Sequence, residues 1–323
     1  EAFYAFLPGP LMLRVWQISG VELAAIPAEE LSDVLALKQH LRVRKGLPVC
    51  LQELLHDGVR LQDSVKLRAP MDIQLVLLSL AKGLEAAQEL REAATKGEIE
   101  VVRLLLRAST DKDSTNELGI RALLWASSNG HVQTVRLLLE SGAAQGFTAR
   151  EVGKTALTWA CMNGHGGVAR LLLEAGADKD SMDWQRKTAL IWASGNGHVD
   201  VVSLLLDSGA SMDLIDQEGS TALHRAAING HTQVVRLLLE AGAAKDKADQ
   251  DSKTALILAA KQGRVEIVRL LLEAGADKGL KDREDRTAYN WAWICGRYEV
   301  SHLLLDPESE QDLSERLSRR SSF

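Results

Sequence analysis

The chain has 323 residues, 46% hydrophobic but only 4% aromatic, with a formal net charge of −6. That length holds two domains of ordinary size, or one domain and a repeat array. The negative balance argues against a general nucleic-acid binder, which relies on many Lys/Arg–phosphate contacts, and no apolar run reaches the ~18 residues that span a bilayer.

The elements follow in chain order. Residues 1–10 lack an initiating Met and a charged leader region, so they read as a truncated start and not as a signal peptide. From 11 to 78 the pattern is β-β-α-β-β. Leu13 and Val15, then Val21, Leu23 and Ala25, alternate about Gly20 as a hairpin. Asp33 caps a helix whose Val34, Leu37 and Leu41 share one face, and Gly46-Leu47-Pro48 ends it. A short strand around Leu54-Leu55 turns at Asp57-Gly58, and Ile73 to Leu77 forms the final strand. This order, with its Gly-Leu-Pro helix ending, resembles the small α+β ubiquitin-like β-grasp domain. The resemblance implies a partner patch at Ile18, Leu55 and Val76, although each alone reads equally well as core. Where that family ends in a free Gly-Gly, this chain continues Leu77-Leu78-Ser79-Leu80, which implies a docking module and not a conjugated tag. Residues 79–86 read as a linker.

From 87 to 306 three markers repeat in phase. Thr-Ala-Leu recurs at 155, 188, 221 and 254, and Thr-Ala-Tyr at 287, one every 33 residues; Arg121-Ala122-Leu123 and Gln88-Glu89-Leu90 are degenerate earlier copies. Glycines at 130, 164, 197, 230, 263 and 296, and at 142, 176, 209, 242 and 275, keep the same beat. In each unit Thr caps a short helix, small residues such as Ala226-Ala227 allow close approach, and a Gly-His step ends the helix. A second helix follows, exemplified by Val201, Val202, Leu204, Leu205 and Leu206, and a polar turn or finger leads to the next Thr. One such pair cannot bury its own apolar face, so neighbours stack into an α-solenoid. The stretch Gly219 to Ala227, followed by Gly230-His231, closely resembles the ankyrin repeat. The resemblance covers residues 84–306 as about seven helix-pair units including caps, and it implies protein binding without catalysis. Three departures stand out. The His after the Leu survives only as His224, replaced elsewhere by Thr158, Ile191 and Ile257. One extra residue falls between Ala143 and Lys154. Glu98 replaces the first unit's His, as on a solvent-facing cap.

Candidate chemistry is sparse. Cys50, Cys161 and Cys295 are odd in number and far apart, which points to a reducing, intracellular setting, the cytoplasm with the nucleus also open. Cys161 and His165 are four apart, but both occupy repeating structural slots. The Gly-His histidines lie one per unit and offer no convergent metal site. No Walker-type loop, dinucleotide fingerprint or zinc-spaced pair occurs, so neither cofactor nor catalysis is expected. Trp125, Trp159, Trp192 and Trp291 share a slot with Arg225 and Leu258. They read chiefly as inter-repeat packing, with a concave aromatic stripe as the alternative. Trp184, among polar sister positions, reads as a binding hot spot or as finger packing.

Positions that vary between units complete the expected partner-binding face. The finger positions are Trp184, Gln185 and Lys187; Gln217, Glu218 and Ser220; Gln250, Asp251 and Lys253; and Arg283, Glu284 and Arg286. The first-helix positions are Ser128 and Asn129, Met162 and Asn163, Gly195 and Asn196, Ile228 and Asn229, and Lys261 and Gln262. Both sets are expected on one concave face. Residues 307–323 read as a disordered charged tail, in which Arg319-Arg320-Ser321-Ser322 resembles a basophilic kinase site with Ser322 as acceptor. The chain therefore reads as a monomeric scaffold or adaptor for protein partners, with no nucleic-acid binding and no membrane insertion. The alternatives are a regulatory or targeting fragment of a larger enzyme, such as one of the ubiquitin pathway, and a plain structural spacer.

Overall fold

The structure, a computed structural model, describes residues 12–17, 21–27, 31–57, 59–67, 71–77, 83–108, 122–142 and 153–305. It divides into two compact units, 1–126 with 133–144, and 127–132 with 145–323.

In the first unit, strands β1 (Met12–Gln17), β2 (Glu22–Pro27), β3 (Gln52–His56), β4 (Val59–Arg60) and β5 (Met71–Leu77) form one sheet ordered β2-β1-β5-β3-β4. The central β1–β5 pair is parallel and the others are antiparallel. Helix α1 (Val34–Lys45) covers one face. Its Val34, Leu37 and Leu41 share a buried cluster with Leu13, Val15, Ile26, Leu54, Ile73 and Leu75. Its cap is as expected: Asp33 Oδ1 accepts from the Ala36 N–H at 2.8 Å, and Gly46 ends the helix at φ 66°. The topology is compatible with a β-grasp.

Two details differ from the sequence reading. The strand β4 is additional, formed where Asp57 at φ 50° turns the chain back on β3. Leu23 packs against the core as expected, joined by Ala24 and Ile26, while Val21 and Ala25 are exposed. The cause is a β-bulge: Val15 faces Ala24 but Trp16 faces Glu22, so Leu23 is an extra residue, and it and the adjacent Ala24 both pack against the core.

The first array helix, α2 (Gly83–Lys96), begins inside the expected linker and pairs with α3 (Ile99–Ala108). The compact units do not divide at 79–86, because α2 is tied to the sheet module. The buried carboxylate of Glu89 accepts from the N–H groups of Val49 and Cys50, at 2.7 and 2.9 Å. Arg42 of α1 lies 3.6, 3.4 and 3.1 Å from carboxylate oxygens of Glu89, Glu92 and Glu98. Burial alone would lower the Arg42 pKa, but these three carboxylates together raise it. Glu98, still partly exposed, is therefore also an intramolecular anchor.

Further along come α4 (122–128) and α5 (Val132–Glu140). The second unit carries five helix pairs: α6 (Ala156–Met162) with α7 (Gly166–Glu174), α8 (Ala189–Asn196) with α9 (Val199–Asp207), α10 (Ala222–Asn229) with α11 (Thr232–Glu240), α12 (Ala255–Gln262) with α13 (Val265–Glu273), and α14 (Ala288–Ile294) with α15 (Tyr298–Leu304). Thr155, Thr188, Thr221, Thr254 and Thr287 each cap the first helix by accepting from the third residue's N–H. Ala160, Ala193, Ala226, Ala259 and Ala292 are fully buried, which lets successive first helices pack closely. The second helices bury Val/Leu triads such as Val234, Val235 and Leu238, each large side chain contributing about 1.5–3 kcal/mol.

Candidate functional site

The side of the second unit formed by fingers and first-helix ends is built from three repeating tie points. The first joins helix ends. Asn163, Asn196 and Asn229 donate to the carbonyls of Ser128, Met162 and Gly195, one unit earlier, at 2.8, 2.8 and 2.6 Å. His165, His198 and His231 reach the same carbonyls through Nε2 at 2.9–3.0 Å, and Arg264 and Arg297 continue the series. Each His ring lies over the previous unit's glycine: a Cβ at Gly130 would stand 2.6 Å from His165 Nδ1. These Asn amides are thus engaged by the neighbouring unit.

The second tie point holds each finger. Asp183, Asp216, Asp249 and Asp282 each accept two backbone N–H groups of their own turn through Oδ1, at 2.8–3.0 Å. The other oxygen meets the variable first-helix slot: Trp192 Nε1 at 2.9 Å on Asp183, Arg225 Nε at 2.9 Å on Asp216, and Trp291 Nε1 at 2.6 Å on Asp282. Leu258, in the same repeat slot, has no donor to offer Asp249. Burial pushes the Asp282 carboxyl up, but the Arg286 and Glu284 N–H groups and the Trp291 indole outweigh it and leave the pKa lowered. Sequence reasoning passed over these aspartates, although their spacing of 33 residues was the available signal.

The third tie links neighbouring fingers. The N–H groups of Gln217, Gln250 and Arg283 donate to Gln185, Glu218 and Asp251 carbonyls, at 2.9, 3.1 and 3.0 Å. The side-chain amides of Gln217 and Gln250 donate to the Trp184 and Gln217 carbonyls.

Beside these ties stand aromatic and cationic side chains, with the exposed carboxylates of Glu218, Asp251 and Glu284 among them on the fingers. Trp184 is 61% exposed, yet one edge of its ring covers Gly153, where a Cβ would come within 2.5 Å of its Cδ1. Lys154 Nζ sits 5.4 Å from the Trp159 ring and 4.7 Å from the Trp192 ring, with Lys187 Nζ 4.4 Å over Trp192. Around Trp291 gather Lys253 (5.9 Å), Lys261 (4.3 Å) and Arg286 (4.8 Å). Such contacts are worth about 0.5–2 kcal/mol, more when desolvated. Gln185, Gln262 and Arg283 are exposed and Met162 is half-buried.

Elsewhere, Leu55 and Val76 are half-buried on the sheet face opposite α1: their strand neighbours Leu54 and Leu75 point into the core. Ile18, the extra residue of the 143–154 stretch and the tail with Ser322 lie outside the described residues. Cys161 is fully buried, its thiol pushed up to about 12 by burial, and His165 is directed to the Ser128 carbonyl. Among the described residues no group of three or more His, Cys, Asp or Glu could hold a metal ion, and no helix is long and apolar enough to cross a membrane.

Comparison with known proteins agrees with this geometry. A family model for ankyrin repeats (three copies) matches residues 90–183, 180–251 and 242–315, well over half of the chain. The mouse (Mus musculus) ankyrin repeat domain-containing protein 40 is 41% identical over 66 residues, which are 20% of this chain and 18% of that protein.

Proposed function

The chain belongs to the ankyrin repeat family, and from that premise we propose that it works as a non-catalytic, monomeric scaffold or adaptor. The repeats form a protein–protein interaction module. The partner seats on the side that carries the fingers and first-helix ends, centred on Trp184, Lys187 and Lys261. One observation carries this reading. The residues that repeat from unit to unit are consumed by the tie points, while Trp184 stands exposed among them and Lys187 and Lys261 make no ion pair among the described residues. An exposed Trp with ammonium groups free of carboxylates on the same side of the array has the composition of an interface anchor. The sheet module serves as a second, ubiquitin-like docking element through the face bearing Leu55 and Val76, which its topology supports.

The test is affinity capture from source lysate with the full chain, beside a Trp184→Ala, Lys187→Ala, Lys261→Ala variant of unchanged helicity. The full chain is required, because cutting before α2 strips Glu89 of its partners. Loss of a captured protein in the variant supports the site; equal capture by both refutes it.

A further inference from the structure

We propose that the occupant of this face is an extended acidic peptide segment, with two carboxylate side chains spaced to meet Lys187 and Lys261. The inference rests on the partner-binding reading above and specifies the partner's chemistry.

Two clusters set the terms. Over Trp192, the ammonium groups of Lys154 and Lys187 converge within 4.7 and 4.4 Å of one ring. The carboxylate beside them, Asp183, is buried, accepts the Trp192 indole, and lies 3.7 Å from Lys154. Over Trp291, Lys253 is paired with Asp251 at 2.8 Å and Arg286 with Glu284 at 2.7 Å, whereas Lys261 is held only by the ring at 4.3 Å. Each cluster thus holds several cations against one indole and leaves one ammonium without a carboxylate. Like charges brought this close repel one another, and an incoming carboxylate relieves that repulsion where indole walls reduce solvent screening.

Geometry gives the spacing. Lys187 lies over Trp192 of α8 and Lys261 over Trp291 of α14, three first-helix steps apart. At ~8–10 Å per packed helix pair, the two rings stand about 24–30 Å apart. An extended chain covers that distance in about seven to nine residues. A nucleic acid, with a charge at every nucleotide, fits less well: Glu218, Asp251 and Glu284 stand on the fingers that run from one lysine's cluster to the other and repel a continuous phosphate backbone, whereas a peptide can carry its carboxylates only opposite Lys187 and Lys261.

The experiment probes an array of immobilised peptides with labelled full-length chain. Each peptide carries two glutamates at separations of about two to ten positions, with glutamine copies and an oligothymidylate as comparators. The expected signal peaks near a separation of about seven to nine, exceeds the glutamine copies about tenfold, and falls to their level in Lys187→Gln, Lys261→Gln protein of unchanged circular dichroism. Equal signals from glutamate and glutamine peptides, no dependence on the two lysines, or preference for the oligonucleotide would overturn the proposal. The same variant separates the two readings in lysate. A partner lost with Trp184→Ala but retained by the double Gln variant leaves the site standing and rejects the acidic occupant. Capture indifferent to every substitution rejects both.

Discussion

At the finger tips, positions 153, 186, 219, 252 and 285 all adopt left-handed backbone, with φ between 58° and 76°, yet only two are glycine. Arg186, Ser252 and Asp285 hold conformations that cost an L-residue about 1 kcal/mol. Ser252→Gly should therefore stabilise the protein by about 0.5 kcal/mol, after allowing for the freer unfolded chain, read as a shifted urea midpoint at constant slope. The converse separates strain from collision. A Cβ at Gly219 would lie 2.7 Å from the Gln250 backbone nitrogen, whereas one at Gly242, also left-handed, meets nothing within 4 Å. Gly219→Ala should cost at least ~1 kcal/mol more than Gly242→Ala; equal costs would mean that the finger yields to the methyl group.

His224 makes a second residue-level case. Its Nδ1 accepts from the Thr221 N–H at 3.2 Å, and its Nε2 lies 3.1 Å from the Lys253 carbonyl, an arrangement of the neutral ring. Burial holds its pKa below the ordinary 6.5. Stability from this group is complete above about pH 6.5, where both states are neutral. It falls as pH drops toward the folded pKa, because the unfolded chain takes up the proton first. His224→Ile, borrowing the residue of Ile191 and Ile257, should flatten the stability difference between pH 7.5 and 5.5. An unchanged difference would place the acid sensitivity in the carboxylates alone.

At the scale of elements, two ties invite direct tests. Glu89→Ala leaves two N–H groups and part of Arg42 without a partner, a loss of about 2–4 kcal/mol. It should also let the sheet module melt separately from α2 and α3, seen as a second transition in a thermal scan; a single unbroken transition would deny that Glu89 couples them. In the unit of Asp249 the first-helix slot is Leu258, where sister units present Trp192, Arg225 or Trp291 to their aspartate. Leu258→Arg should restore the tie and add about 1 kcal/mol, checked by calorimetry.

For the molecule as a whole, stability in a repeat array is a sum of unit and nearest-neighbour contributions. In the inner units the second small slot, Cys161, Ser194, Ala227 or Ala260, is fully buried. In the last unit the same slot is Trp293, 59% exposed, with Tyr298 edge-on at 5.8 Å. Among the described residues, helices α14 and α15 therefore pack on one neighbouring pair, and their amides should exchange with solvent well before those of α10. Protection of α15 equal to that of α10 would contradict the nearest-neighbour account.

The repeat, its caps and its turn glycines were legible in sequence because each obeys a local rule: a Thr oxygen caps the nearest N–H groups, and glycine alone enters the left-handed region freely. The buried Val/Leu stripes followed from helical periodicity, and the α1 cap from Asp33 by the same local logic. Tertiary structure decided what depends on partners distant in sequence. Leu23 sits in a bulge because of its register with β1. Glu98 is engaged because α1 carries Arg42 to it. The recurring Asn became a tie because a carbonyl 34 or 35 residues away faces it. Likewise, only the folded stack brings Lys154 and Lys187 onto one indole, since the energy of such a cluster depends on distance and burial, which no single position in the chain specifies.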